Sequence, residues 1–154
     1  MTTAKNIHTP NPMLNLHEIT AAPNAIEQII QALRSELEEY GAVLNLLDDQ
    51  QAAILAGRRG AVCEIDQAIA AELETVSACE SLVSTLMPAA GEKETPWPPP
   101  ALFPQPMRPL VAALAGEIDH LLARVCHRTQ QNQSLWTRLM NDADDDDIRR
   151  LMLR

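Results

Sequence analysis

Apolar residues recur every three or four positions along three stretches of the chain, which is the spacing of one face of an α-helix. The first stretch keeps a seven-residue period over four heptads, through Ile26, Ile30, Leu33, Leu37, Tyr40, Leu44, Leu47, Gln51 and Ile54. The second runs through Val62, Ile65, Ile69, Leu73, Val76, Val83 and Leu86. The third runs through Val111, Leu114, Ile118, Leu121, Val125, Asn132, Leu135 and Leu139, and Leu122 and Trp136 widen it. These patterns predict α-helices at 24–56, 61–87 and 109–141.

The sequence Gly57-Arg58-Arg59-Gly60 separates the first two stretches and leaves two arrangements open. Residues 24–87 form either one long rod, whose apolar stripe is covered only in a dimer, or a hairpin. The two stretches contain 33 and 27 residues, which corresponds to about 50 Å and 40 Å at 1.5 Å per residue. Such nearly matched lengths favour the antiparallel hairpin, with Gly57 and Gly60 as structural residues and Gly57 as the helix stop.

The remaining segments differ in composition from the three helices. Residues 88–108 are rich in proline, which predicts an extended or polyproline-like linker without helix. Residues 1–23 have little periodicity and predict a flexible N-terminal arm. Residues 142–154 predict an acidic spacer and a short amphipathic tail. The predicted fold class is all-α, an antiparallel three-helix bundle in which a coiled-coil hairpin and a third long helix are joined by the proline-rich linker.

Composition and charge narrow the function. Hydrophobic residues make up 46% of the 154 residues and aromatic residues only 3%, which is typical of helix packing. The net charge is −9 without a basic cluster, which argues against a nucleic-acid partner. No apolar run is long enough to predict a membrane span. Three separated cysteines and an N-terminus without a signal-peptide pattern predict a cytoplasmic protein.

Few residues suggest chemistry. Glu117 and His120 have the Glu-x-x-His spacing of a di-iron bundle, but there is no second copy of this motif. His120 and His127 lie seven residues apart, and the acidic run at 142–147 lacks the glycine and glutamate of a calcium loop. We therefore predict no metal site, no cofactor and no catalytic residue, and interpret the chain as a non-enzyme. A helical metal protein built on Glu117 and His120 is the rival interpretation.

Three sequence segments resemble the FlgN-type flagellar export chaperones. They are "LEEYGAVLNLLDDQQAAI" in the first helix, "EIDQAIAAELETVSACESLV" after the glycine-containing break, and "RTQQNQSLWTRLM" near the end of the third helix. Asn132 and Leu135 match that family's Asn-x-x-Leu-Leu pattern, and Trp136 replaces its second leucine. The resemblance covers roughly residues 24–141. Asn132 also places an amide on an apolar seam, where it is expected to fix helix register.

The resemblance implies a cytosolic chaperone that binds the C-terminal helices of hook–filament junction proteins and keeps them soluble and competent for type III export. The export gate is a second implied partner, which the family contacts through a C-terminal tyrosine; the single tyrosine here is Tyr40. We predict that the partner-binding residues are Leu135, Trp136, Leu139, Met140, Ile148, Leu151 and Met152. The alternative is a structural coiled-coil protein that dimerises through residues 24–87.

Overall fold

A computed structural model describes residues 23–87 and 97–152. The predicted arm at 1–23 lies outside the described residues except for Pro23, which begins the first helix. The helices are α1 (Pro23–Leu55), α2 (Arg59–Leu86) and α3 (Arg108–Met152), with short 3-10 helices at Pro100–Leu102 and Gln105–Met107. The described part of the chain contains no strand, and the predicted all-α bundle is confirmed. None of the described helices combines the length and apolar character needed to cross a membrane.

The chain reverses direction at Gly57. This residue has a left-handed φ of +68°, which favours glycine, and the amide of Arg58 donates to the carbonyl of Ala53 at 2.9 Å. The Gly57 amide donates to the Ile54 carbonyl at 3.0 Å, which completes a Schellman motif. Residues 24–87 are therefore a hairpin, and the single-rod arrangement is wrong. Gly60, expected in the turn, lies in the first turn of α2 because the reversal needs only Ala56–Arg58.

Helix α1 is the centre of the bundle, and both α2 and α3 pack on it. Asn132 of α3 contacts Leu47, and Trp136 lies in the cluster that contains Ile54, so α3 runs in the same direction as α1. The main core contains buried side chains from all three helices, among them Ile29, Leu33, Tyr40, Val43, Leu47, Val76, Val83, Val111, Ile118 and Val125. The apolar stripe of α1 is thus covered within one chain.

The proline-rich segment, where it is described, is part of this core. Phe103 is 0% exposed and belongs to the main cluster, against which Trp97, Leu102 and Met107 also pack. The Nε of Arg108 donates to the Phe103 carbonyl at 3.0 Å. Residues 88–96 of the predicted linker at 88–108 lie outside the described residues. For 97–108 the prediction of a helix-free linker is wrong, because short 3-10 turns accept proline at their first positions and let the apolar side chains reach the bundle, and α3 begins at Arg108.

Helix α3 is longer than predicted. The pattern predicts a helix end near residue 141, whereas α3 continues through the acidic run to Met152. Arg149 and Arg150 in its last turn complement the negative end of the helix dipole, and they follow Asp146 at spacings that support helices. The separate spacer and tail are thus replaced by one continuous helix. Sixteen residues of α3 follow Trp136, which packs beside Ile54 near the end of α1, so about 24 Å of helix lies beyond this contact.

Candidate partner-binding surface

A polar chain joins the three helices near the hairpin turn, buried at Asn132 and Gln50 and exposed at Asp66. Asn132 in α3 is 2% exposed, and its Nδ2 donates to the Leu47 carbonyl and to Gln50 Oε1 in α1, both at 2.8 Å. The Nε2 of Gln50 in turn donates to Asp66 Oδ1 in α2. Because two of these bonds link α3 to α1 and the third links α1 to α2, a shift of any one helix along its axis breaks the chain. Asn132 is therefore placed where an amide sets register.

On the side of α3 that lies away from α2, basic residues face α1. Arg128 forms a 2.6 Å ion pair with Asp48 and donates to Gln51 Oε1 at 3.3 Å. The two ion-pair side chains are 34% and 59% exposed, so solvent screens this pair and its contribution is about 0–1 kcal/mol. Arg124 and Arg138 line shallow pockets on this same α1–α3 side. The positive charge in the middle of α3 is thus directed away from α2.

Helices α2 and α3 pack mainly on α1 rather than on one another, and a groove of about 430 Å³ lies between them. The residues that line it are Leu47, Gln50, Ile54, Val62, Cys63, Asp66, Ile69, Leu73, Val125, Thr129, Asn132, Gln133 and Trp136. Most of these are apolar or uncharged, and Leu73 on the α2 wall is 40% exposed. The groove lies near the hairpin turn, whereas the Phe103 segment packs at the beginning of α1 and α3.

The predicted partner-binding residues occupy two kinds of environment. Leu135 and Trp136 are half-buried and pack against the small cluster of Ala53, Ile54 and Val62. Leu139 is 38% exposed and Met152 is 82% exposed, while Met140 is half-buried. The side chains of Ile148 and Leu151 lie outside the described residues. The first pair therefore joins α3 to the hairpin, and the exposed residues belong to the projecting end of α3.

The continuous helix also changes how these residues are arranged around α3. Leu139 and Met152 are thirteen residues apart, which places them about 140° from one another around the axis. A separate amphipathic tail would be free to turn its apolar side toward Leu139, but one continuous helix is not. Leu139 and Met152 consequently do not form a single stripe.

Sequence reasoning missed the residues that shape the groove. Asp66 interrupts the apolar seam of α2 immediately after Ile65, and this interruption was the available signal. On α1 the pattern placed Gln51 on the seam, whereas Gln50 is the glutamine that is buried, at 9% exposed. Gln50 and Gln51 lie three and four residues after Leu47, and both spacings fit an apolar seam, so only contact with α2 and α3 distinguishes them.

Within the described part of the chain, three titratable groups have raised pKa values. Burial, and next the negative charges of Glu36 and Glu80, raise the pKa of Tyr40 to about 12. Burial likewise raises the pKa of the Cys79 thiol. A hydrogen bond with Glu72 raises the pKa of Glu39. Since Tyr40 is 3% exposed in the core, it is not available as the surface tyrosine of an export-gate contact.

The candidate metal ligands lie on the surface of α3. Glu117, His120 and His127 are all exposed. Within residues 23–87 and 97–152 no three histidine, cysteine or carboxylate side chains are grouped so that they would hold a metal ion. The geometry of these residues therefore adds nothing to the metal-protein interpretation.

Comparison with known proteins adds no functional assignment to the residues and contacts described above. No protein-family model, no curated protein and no solved structure matches the chain.

Proposed function

We propose that this protein is a cytoplasmic flagellar export chaperone of the FlgN type. It binds the C-terminal helices of hook–filament junction proteins and keeps them soluble until the type III export apparatus accepts them. The proposal combines the resemblance of the three helical segments with the exposed apolar residues on the end of α3. The export gate is a proposed second partner, contacted through residues other than Tyr40.

The observation that carries the proposal is the projection of α3 beyond the hairpin turn with Leu139 and Met152 exposed. The described residues leave Leu139 38% and Met152 82% exposed, and apolar area left in water is area that a partner can bury. A client helix that packs along the Leu139 side of this end covers that side chain by the helix-in-groove mode of recognition, and Met152, on another side of α3, is available to a second client segment. The function therefore requires no catalytic group, only a rigid helix that presents apolar contacts.

The proposed mechanism is coupled folding and binding. A client segment that is disordered when free becomes ordered against the chaperone, and the entropy cost of this ordering limits the affinity. Limited affinity suits a carrier that must release its client to the export apparatus. While the client is bound, its apolar stripe is shielded from aggregation.

The direct test is co-purification of the full-length protein with C-terminal fragments of junction proteins. We expect the unaltered protein to capture such a fragment, and Leu139→Ser to weaken capture about tenfold, the scale of one important contact residue. Leu110→Ser is the matched control, because Leu110 is 36% exposed against 38% for Leu139 and lies at the opposite end of the same helix.

Failure of the unaltered protein to capture any junction fragment contradicts the proposed function. Equal capture by the Leu139→Ser and Leu110→Ser variants contradicts the proposed surface and leaves the function in place. Circular dichroism of both variants establishes that each retains the helical content of the parent.

A further inference from the structure

The groove between α2 and α3 has acidic surroundings. Of the described residues that line it, Asp66 alone is charged. Between Ala61 and Leu86, helix α2 contains five acidic residues and no lysine or arginine. The arginines of the middle of α3 line the opposite, α1-facing side of that helix. A positively charged ligand is therefore attracted to Asp66 and to the acidic residues of α2, and the nearest positive charge on that helix is Arg59 in its first turn, at the hairpin end of the groove.

The interior of the groove is apolar and elongated. Val62, Ile69 and Leu73 form the α2 wall, and Val125 and Trp136 contribute to the α3 wall. From Val62 to Leu73 the α2 wall spans eleven residues, about 16 Å or three helical turns. An elongated trough of this kind between two helices matches the shape of a third helix lying along them.

Leu122 extends the same wall toward the beginning of α3. It precedes Thr129, a groove residue, by seven positions, so the two lie within about 20° around the helix axis. Leu122 is 40% exposed, as is Leu73 on the facing helix. These two leucines supply unburied apolar area, one on each wall.

We propose that the α2–α3 groove binds one amphipathic α-helix of a partner protein, whose apolar stripe is flanked by lysine or arginine residues. Such a helix satisfies its own backbone hydrogen bonds, buries the exposed leucines of both walls and completes a four-helix bundle. Its basic flanks meet Asp66 and the acidic surface of α2. The binding of a basic amphipathic helix does not depend on the proposed function. Only the assignment of that helix to the C-terminus of the client rests on it.

The test uses the full-length protein and two synthetic peptides that are free of tryptophan. Both have the same leucine stripe at helical spacing, one with lysine and one with glutamate on its flanks. Fluorescence anisotropy of the labelled peptides measures their affinities. We expect the lysine peptide to bind at least tenfold more tightly than the glutamate peptide, and this preference to shrink as sodium chloride is added.

A matched pair of variants locates the binding site. Leu73→Ser is expected to weaken binding of the lysine peptide about tenfold, and Leu82→Ser to leave it unchanged. Leu82 is 42% exposed on the same helix, but nine residues from Leu73 and therefore about 180° around the axis. Equal affinities for the two peptides, or equal effects of the two variants, overturn the proposal.

Other occupants of the groove give different results. Binding of the lysine peptide only after deletion of residues 1–22 assigns the groove to the protein's own N-terminal segment and overturns the proposal. A dimer by light scattering that Leu73→Ser converts to a monomer, with no peptide binding, assigns the groove to a second copy and also overturns it. Lysine-peptide binding without capture of junction fragments leaves the groove assignment standing and refutes the flagellar function alone.

Discussion

The side-chain amide of Asn132 in α3 donates a 2.8 Å hydrogen bond to the main-chain carbonyl of Leu47 in α1. The two residues are 85 positions apart in sequence. Because the acceptor is a main-chain carbonyl, this bond fixes the position of α3 along α1 whichever side chain occupies position 47. It is continued through Gln50 to Asp66, so one partly buried chain aligns all three helices.

Loss of this chain is expected to destabilise the bundle cooperatively. Asn132→Ala removes two hydrogen bonds and leaves Gln50 Oε1 without that donor, so we expect the free energy of unfolding to fall by about 1–3 kcal/mol. A double-mutant cycle with Gln50→Ala, measured by urea unfolding, is expected to show a coupling of at least about 0.5 kcal/mol. Asn141→Ala, at an exposed position of the same helix, is the control. Strictly additive effects contradict the connected chain.

The two glycines around the turn are expected to respond oppositely to alanine. Gly57→Ala forces a left-handed φ on a residue with a Cβ and is expected to lower the free energy of unfolding by about 1–2 kcal/mol. Gly60→Ala meets no atom within 4 Å inside α2 and is expected to raise it by up to about 1 kcal/mol. Urea unfolding of both variants checks the pair, and destabilisation by Gly60→Ala speaks against its place in the helix.

Phe103 is expected to behave as a core residue despite its proline-rich surroundings. Phe103→Ala leaves a cavity at a fully buried site, and we expect a loss of about 3–5 kcal/mol in the free energy of unfolding. Leu110→Ala, at a 36% exposed position nearby in sequence, is expected to cost less than about 1 kcal/mol. If Phe103→Ala costs no more than this control, the segment does not belong to the core.

The Glu39–Glu72 pair is expected to make stability depend on pH. The hydrogen bond with Glu72 raises the pKa of Glu39 in the folded state, so ionisation at neutral pH opposes folding and this penalty disappears as the pH falls toward the ordinary value of 4.5. Glu39→Gln is expected to raise the melting temperature at pH 7 by no more than about 2 °C, and to give no gain below pH 4.5. Glu117→Gln on α3 is the control, and a gain that persists unchanged in acid rules out the pair as its cause.

Tyr40 provides a spectroscopic test of the core. It is the only tyrosine, so absorbance at about 295 nm reports its ionisation alone. Because burial raises its pKa to about 12, phenolate is expected to form near that pH in the folded protein. In urea the ionisation is expected near the ordinary value of 10. Coincident titrations in the two conditions would show that Tyr40 is not buried.

Local sequence pattern was enough to predict the helices, because their cause is local. The period of the apolar residues lies within each segment, and the reversal at Gly57 depends on a φ that glycine adopts readily. The amide at position 132 was recognisable as a polar interruption of an apolar seam. By contrast, neither Gln50 nor Asp66 was identified, since a polar side chain is assigned a core role only when its partner is known.

The sequence by itself determined an acidic, all-α chain with a hairpin and a third long helix, since helix period and composition act over a few residues. Only the tertiary structure decided the rest. The prolines exclude a regular α-helix at 97–107, but the favourable free energy of burying Phe103 places this segment in the core. The acidic run forms no spacer, because α3 continues through it and fixes the angle between Leu139 and Met152. The groove exists because α2 and α3 both pack on α1. The distance between α2 and α3 is set by how each packs on α1, and no local sequence pattern encodes it.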